Sequence, residues 1–337
     1  MTAKTEEPNT LLERLRAHPE LWLSGQDLCA ALRCSRTAIW KQVQNLRHQG
    51  YSIEARPRLG YRLASSPEAP LPAEVLARLT TRTLGRRLLW LPAVDSTNRW
   101  LAEKADAGAP EGLAVTADSQ TAGRGRLDRV WFSPPGLNLY ASLLLRPDVP
   151  LDRVASLSIL LGLAVRRAVR SLAPELEPRL KWPNDIWLGG RKLCGILCDM
   201  RAEPDRVRHV VAGIGMNVNT GVQDFPPALH ATATSLRLAA HRSFSRADVL
   251  AALLNALEPV YRKWVRTGLA SFADELNEAD LLKGHRITLS QGERTLEGRA
   301  DGIAPDGSLL LTGRTGTTSI YSGDVHIESI SGLKKRT

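Results

Sequence analysis

Cysteine is scarce: four in 337 residues, at positions 29, 34, 194 and 198. That excludes a disulfide framework and suits reduced thiols in a cytosol. Cys194 and Cys198 could pair on a metal, but no second pair or histidine lies near them in sequence. They read as small buried side chains, and the sequence leaves any metal site unknown. Long apolar runs are missing too. The longest, such as LSILLGLAV at 157–165, fall short of the ~20 residues that a membrane span needs. The first residues, MTAKTEEPNT, contain no apolar signal segment, so a cytoplasmic location with no membrane partner is expected. A G-x-x-x-x-G-K-[ST] motif is absent, so any nucleotide is held without a Walker loop. Acids are outnumbered: the net charge is +10, which implies anionic partners without naming them. What remains is a globular chain with ordinary apolar and charged fractions, long enough for two or three cores.

The charge is unevenly placed. From Arg33 to Arg62 the basic residues Arg33, Arg36, Lys41, Arg47, Arg56, Arg58 and Arg62 face a single acid, Glu54. The same stretch carries the punctuation of short helices. TLLERLRA at 10–17 has a brief helical pattern. Ser24 of SGQD is an N-cap with an acid three residues on, and its helix stops near Cys34. Ser35 caps the next helix, RTAIWKQVQNLRHQ, which ends at Gly50. Ile39, Val43 and Leu46 share one face at helical spacing; Thr37, Lys41, Gln44 and His48 lie opposite, flanked by Arg36 and Arg47. YSIEARPRLGYRL then reads as a hairpin turning at Pro-Arg-Leu-Gly.

Two helices across a tight turn, followed by a hairpin wing, predict a winged helix-turn-helix over residues 1–65. A polar, basic helix fits the major groove and wing arginines reach phosphate. Arg36, Thr37, Lys41, Gln44, Arg56 and Arg58 are therefore the candidate DNA contacts. A solvated helical cap explains one amphipathic helix, but not helix, turn, wing and one-sided charge together. Trp40 is harder to explain, because a small polar residue suits its place early in the second helix.

The density of Ser, Pro and Ala in ASSPEAPLP marks a linker, placed at 66–80. Beyond it LLWLPAV, LAVTADS, LNLYASLLLRP and VRHVVAGIGMNV read as strands, and DSTNRWLAEKA as a turn entering a helix. Residues 152–172 form a long amphipathic helix, and IWLGGRKLCGIL is a hairpin turning at Gly189-Gly190. Strands outnumber crossover helices, so the expected class is an α+β multidomain chain rather than a Rossmann sheet. A helix at 246–267 completes the central domain, 81–278. The short strands after it, separated by QGE, APDG and GRTG turns, predict a small SH3-like β-barrel over 279–337.

One loop differs from the rest. Gln120 to Tyr140 reads QTAGRGRLDRVWFSPPGLNLY, three arginines among glycines followed by an aromatic pair and a double proline. Attack of a carboxylate on the α-phosphate of ATP brings two anions together. A site for it needs fixed cations and backbone N–H groups where charge develops. It also needs glycines, so that backbone can lie against phosphate. GRGR with Arg129 supplies both, on an element able to close over a reactive intermediate. An RG-rich nucleic-acid segment is the other reading, although such segments are longer and repetitive.

Three further segments decide between them. DSTN (95–98), KWPND (181–185) with RKLCGIL (191–197), and GIGMNVN (213–219) follow the helix-turn-helix in that order. With the arginine loop they closely resemble biotin protein ligases. The N-terminal domain narrows the resemblance to the bifunctional biotin ligase and biotin-operon repressor, over nearly the whole chain. That implies a central α/β biotin/lipoate-ligase-like catalytic domain. It also implies formation of biotinyl-5′-adenylate from biotin and ATP with Mg²⁺, then transfer of biotin to a lysine of a biotin carboxyl-carrier protein. The adenylate would act as corepressor, favouring a homodimer on operator DNA.

By that resemblance Ser96, Thr97, Asn98 and Gln120 hold the biotin rings, whose ureido group needs donors and acceptors together. Arg124, Gly125 and Arg126 cover the carboxylate and phosphates, and Lys181 stands at the reacting centre. Gly123, Trp131, Asn184, Asp185, Lys192, Gly195 and Asn217 are candidates for the nucleotide, its Mg²⁺ or structural turns, with Mg²⁺ held mainly by the phosphates. Ser-Thr-Asn alone could simply cap a helix. The C-terminal module is expected beside the ligase site, assisting ATP and carrier binding. The chain departs from the family pattern at Leu127-Asp128, where a basic residue and glycine are usual, and at Asp199, where glutamate is expected. A non-catalytic small-acid-sensing regulator and a lipoate-type ligase are the alternatives.

Overall fold

The computed structural model describes residues 10–204, 206–291 and 294–327. The polar stretch 1–9, the tip of the QGE turn at 292–293 and the C-terminal residues 328–337 lie outside the described residues. The chain divides into two compact units, residues 1–68 and 69–337.

The smaller unit contains α1 (Leu11–Ala17), α2 (Gly25–Leu32), α3 (Arg36–His48), β1 (Ser52–Arg56) and β2 (Gly60–Ser65). Each helix starts on a hydroxyl cap: Thr10 with Glu13 in a reciprocal box, Ser24 on the Asp27 amide, Ser35 on the Ala38 amide. Such a cap is worth about 1 kcal/mol. Leu11, Leu15, Leu28, Ile39, Val43 and Ile53 are buried between the helices and the antiparallel β1–β2 hairpin. Leu23 bridges Tyr61 as a third strand. Gly60 is required there, since a Cβ would lie 2.0 Å from the Leu23 carbonyl oxygen. Arg47, read as flanking the polar face of α3, turns instead to the wing and donates through Nε to the Ile53 carbonyl at 3.0 Å.

The larger unit begins with α4 (Pro72–Leu76), inside the stretch read as linker. Val75 of α4 is fully buried, so apolar burial overrides the proline and alanine content of this stretch. Next come β3 (Arg87–Leu91), α5 (Thr97–Asp106), β4 (Leu113–Ala117), β5 (Leu139–Leu145), α6 (Leu151–Val154) and α7 (Leu157–Leu172). They are followed by β6 (Arg179–Lys181), β7 (Asp185–Leu188), β8 (Arg191–Ala202), β9 (Val207–Met216), α8 (Leu236–Ala240), α9 (Arg246–Thr267) and α10 (Ala273–Ala279). Seven strands form one mixed sheet in the order β3-β4-β5-β9-β8-β7-β6, parallel only between β3 and β4.

Strand alternation sets the two faces of this sheet. On β5, Leu139, Ala141, Leu143 and Leu145 join α7 and α9 in the main core. Leu144 faces the other way, with Leu101 and Ala105 of α5. Both faces are covered, which is why β5 reads as a nearly continuous apolar run. Fully burying each such leucine contributes roughly 1.5–3 kcal/mol.

After α10, β10 (Arg286–Gln291), β11 (Arg294–Ile303), β12 (Leu309–Gly313), β13 (Gly316–Ile320) and β14 (Asp324–Ile327) form one antiparallel sheet, ordered β13-β12-β11-β10-β14. Its edges β13 and β14 do not pair with each other among the described residues, so the expected barrel is here an open five-stranded sheet. Trp182 donates its indole N–H to the Gly307 carbonyl at 2.9 Å, fastening this sheet to the central one.

Candidate active site

The site grows from the α5 face of the large sheet. By alternation β8 turns Gly195, Leu197 and Asp199 to that face, and β9 turns Gly213 and Gly215. Gly195 pairs with Gly215 and Leu197 with Gly213 across the ladder. Side chains fill the space these glycines leave. A Cβ on Gly213 would lie 2.1 Å from Asn98 Oδ1, and one on Gly215 would lie 2.5 Å from the Trp131 indole.

Ser96 is the N-cap of α5, but its hydroxyl makes no capping bond, so capping does not account for this motif. Thr97 and Asn98 are buried at the start of the helix. Gln120 Oε1 accepts from the Thr97 amide at 2.9 Å and its hydroxyl at 3.1 Å. Asn98 Nδ2 donates to Asp199 at 2.8 Å, and Ser142 donates to Asn98 Oδ1 at 2.6 Å. Gln120 Nε2 reaches Ser133 at 3.0 Å. Three segments far apart in sequence thus converge in one network of hydroxyls and amides.

Beside it the cationic loop folds back on itself: Arg124 bridges Val130, and the Gly125 amide donates to the Arg129 carbonyl at 2.7 Å. Gly123 is crowded, with a Cβ position 2.6 Å from Ser133 Oγ. Leu127 and Asp128 form the tip at φ 54° each, the left-handed region that glycine prefers. Arg124, Gly125, Arg126, Asn184, Asp199 and Tyr321 line a cleft of about 580 Å³. Arg126 donates to Asn184 Oδ1 at 3.3 Å, and Arg129 is ion-paired with Asp324 of β14.

Lys181 ends β6 opposite Asp185. Its ammonium lies 4.6 Å from the centre of the Trp187 ring. Burial pushes its pKa below the ordinary lysine value, while Asp185 and Asp324 push it back up. Lys192 is 2.8 Å from Asp185 and sits over the Trp131 ring. A half-buried cation with carboxylates nearby and no hydrogen-bonded partner among the described residues suits a site where negative charge arrives with the ligand. Asn217 goes elsewhere: it is buried and donates to the Thr234 carbonyl at 3.0 Å, anchoring the segment before α8.

The Bifunctional ligase/repressor BirA of Bacillus subtilis (strain 168) is 40% identical to this chain over 91% of it and 94% of its own length. That of Escherichia coli (strain K12) is 30% identical over 86% and 87%. The chain belongs to the bifunctional ligase/repressor family. The model of the Biotin/lipoate A/B protein ligase family matches residues 90–217. The HTH domain matches 9–62, and the Biotin protein ligase C terminal domain matches 284–327. Among solved structures, biotin protein ligase from Aquifex aeolicus in complex with biotin and ATP is similar, with a TM-score of 0.62 and 31% identity. That likeness covers 72% of this chain and 98% of that one.

Within this ligase-type site the sequence reading missed Ser142, Ser133 and Asp199 as members of the network. It also missed Asp324 as a partner of the loop. A lone serine in LYASLLL was the available signal for Ser142, because a buried serine needs a partner. Asp324 carries no such signal, since 195 positions separate it from Arg129. No group of three or more His, Cys, Asp or Glu able to hold a metal occurs among the described residues, and the four cysteines are free. No helix among them is long and apolar enough to cross a membrane.

The DNA-reading candidates sit on the smaller unit. Arg36, Thr37 and Lys41 are exposed on α3 and Gln44 is half-buried. On the wing Arg56 and Arg58 are exposed, and the guanidinium of Arg56 lies 4.9 Å from the centre of the Trp22 ring. Arg62 stacks on the same ring and pairs with Glu54 at 2.8 Å.

Proposed function

We propose that the chain is an ATP-dependent biotin–protein ligase that also represses transcription. A biotin carboxylate oxygen attacks the α-phosphorus of ATP, pyrophosphate leaves, and biotinyl-5′-adenylate forms. The ε-amine of a carrier-protein lysine then attacks the acyl carbon and loses a proton. An amide forms and AMP leaves with the bridging oxygen. The observation that carries this reading is the hydroxyl–amide network at the start of α5, on the sheet face floored by glycines and beside the arginine-lined cleft.

In this reading Ser96, Thr97, Asn98 and Gln120 satisfy the ureido group, and Arg124, Gly125 and Arg126 close over the carboxylate and phosphates. Lys181 offsets charge on the transferring phosphate. Gly123 and Gly195 let chain and ligand approach closely, while Trp131, Asn184, Asp185 and Lys192 face the nucleotide. The described donor set fits Mg²⁺ brought in on the phosphates, with Asp185 among the nearby carboxylates. The biotin carboxyl-carrier protein is the acceptor. The adenylate favours a homodimer on operator DNA, bound through Arg36, Thr37, Lys41, Gln44, Arg56 and Arg58. The assigned bounds are 1–65 for the winged helix-turn-helix, 81–278 for the catalytic domain and 279–337 for a C-terminal SH3-like module. The setting is the cytoplasm.

Mass spectrometry of a carrier domain incubated with the protein, ATP, Mg²⁺ and biotin tests this. One lysine should gain a biotinyl group. Gain of lipoyl instead, when lipoate is supplied, would make it a lipoate-type ligase. No transfer, and no biotin-dependent exchange of pyrophosphate into ATP, would leave a non-catalytic sensor.

A further inference from the structure

The recognition helix carries one residue that phosphate contact cannot explain. Trp40 is 54% exposed, in a helix whose apolar residues Ile39 and Val43 are buried. At 3.6 residues per turn it falls one turn after Arg36 and one turn before Gln44, with Thr37 three residues before it. It therefore lies on the Arg36 flank of the exposed polar face, in line with Arg36 and Gln44. Its indole N–H makes no hydrogen bond among the described residues, and no cation lies over its ring, whereas Trp22 of the same unit is covered by Arg56 and Arg62. An apolar ring left uncovered amid cations is costly on a surface whose only role is attraction to phosphate.

We propose that Trp40 is a specificity-determining residue that reads thymine in the major groove. An indole offers an apolar face and a single donor, with no acceptor. Of the bases seen from the major groove, thymine alone joins an apolar group, its C5-methyl, to an acceptor, O4. Ring against methyl and N–H toward O4 use both features of the side chain. Guanine offers acceptors without the methyl, and cytosine offers a donor that the indole cannot accept. This inference rests on the DNA-binding reading above and adds to it which base is read and by which residue.

The test uses the full chain with biotin, ATP and Mg²⁺, and a pool of random-sequence duplexes. Sequences retained by the wild type define a preferred duplex. Each thymine in it is then replaced by deoxyuridine, which removes only the methyl group. One thymine per half-site should weaken wild-type binding by about three- to tenfold when it loses its methyl. Trp40→Ala should bind the parent duplex correspondingly less well and be insensitive to uracil at that position; Trp40→Phe should keep the sensitivity. Trp40 is exposed, so biotin transfer by both variants should match the wild type and report an intact fold. Equal uracil sensitivity in wild type and Trp40→Ala overturns the proposal, as does loss of affinity in Trp40→Ala with no thymine singled out. If the wild type retains no duplex at all, the DNA-binding reading fails and the proposal falls with it.

Discussion

The chain holds its cations in two different ways. On α3 and the wing, Arg36, Lys41 and Arg58 stand exposed with no ion pair among the described residues, and Glu54 is taken by Arg62. Around the cleft three cations are held: Arg129 by Asp324, Lys192 by Asp185, Arg126 by Asn184. Half-buried Lys181, with Arg124, makes no side-chain hydrogen bond or ion pair among the described residues. Free, solvated cations suit a polyanion that binds by releasing counterions. Cations fixed in advance suit a reaction, because the site does not reorganise as charge develops. The same residue types are thus arranged as affinity would need in one unit and as rate would need in the other.

Salt gives the sharpest contrast. If six phosphates are contacted, operator affinity should fall by about 10³-fold between 50 and 200 mM salt. Biotin adenylation should change severalfold at most, because its charges are partly buried and paired. A filter-binding series beside a pyrophosphate-exchange series measures both. Parallel salt dependence would break the comparison. Lys41→Ala should reduce the salt slope of DNA binding by about one unit and leave adenylation unchanged.

Lys181→Ala comes next in size. Its charge is most useful when negative charge concentrates on the transferring phosphate, so adenylation should fall by about 10²- to 10³-fold. Biotin affinity should change far less, since little of the contact exists in the ground state. Calorimetry of biotin binding beside single-turnover adenylation checks this. Equal losses in both would make Lys181 a ground-state binding residue.

The sequence made these parts legible to different degrees, for physical reasons. Helix caps and periodicity are local, so the helices of the small unit and the Gly189-Gly190 hairpin could be read residue by residue. The segments that meet at the candidate site stood out as short motifs because their combination is specific. The sheet order and the Arg129–Asp324 pair depend on chain returns that no local pattern encodes. The C-terminal strands were legible, but closure into a barrel depends on pairing between the two edge strands of the sheet, and among the described residues β13 and β14 do not pair. Asn217 misled because motif membership does not say which way a side chain turns.

The Asp324 contact should have a smaller effect. Arg129 is largely exposed, so its ion pair is worth at most about 1 kcal/mol after screening by solvent, and Asp324→Asn should raise the KM for ATP about three- to fivefold. The pH profile is the more specific readout. Lys181 has a pKa lowered by burial and raised by Asp185 and Asp324. Removing the Asp324 charge lowers it further, so the lysine loses its proton at lower pH. The alkaline fall of adenylation should therefore begin at lower pH in Asp324→Asn. An unchanged alkaline limb would show that β14 touches the loop without tuning the lysine.

The smallest effect separates helix from loop. Leu127 and Asp128 both adopt φ 54° at the loop tip. A left-handed conformation costs an ordinary side chain roughly 1–2 kcal/mol. Glycine removes that cost but loses about 0.5–1 kcal/mol more chain entropy on folding. Leu127→Gly should therefore be slightly stabilising, raising the Tm of the larger unit by about 1–2 °C. Asp128→Gly should give less, because aspartate tolerates this region better than leucine. The same substitution in the recognition helix, Lys41→Gly, should destabilise the small unit by about 1 kcal/mol, because there the native conformation is helical and suits lysine. Calorimetry on the full chain resolves the two units if they melt separately, and limited proteolysis at the loop reports the local change directly. Faster cleavage in Leu127→Gly than in the wild type would mean that the leucine side chain, although 71% exposed, holds the loop by contact rather than straining it.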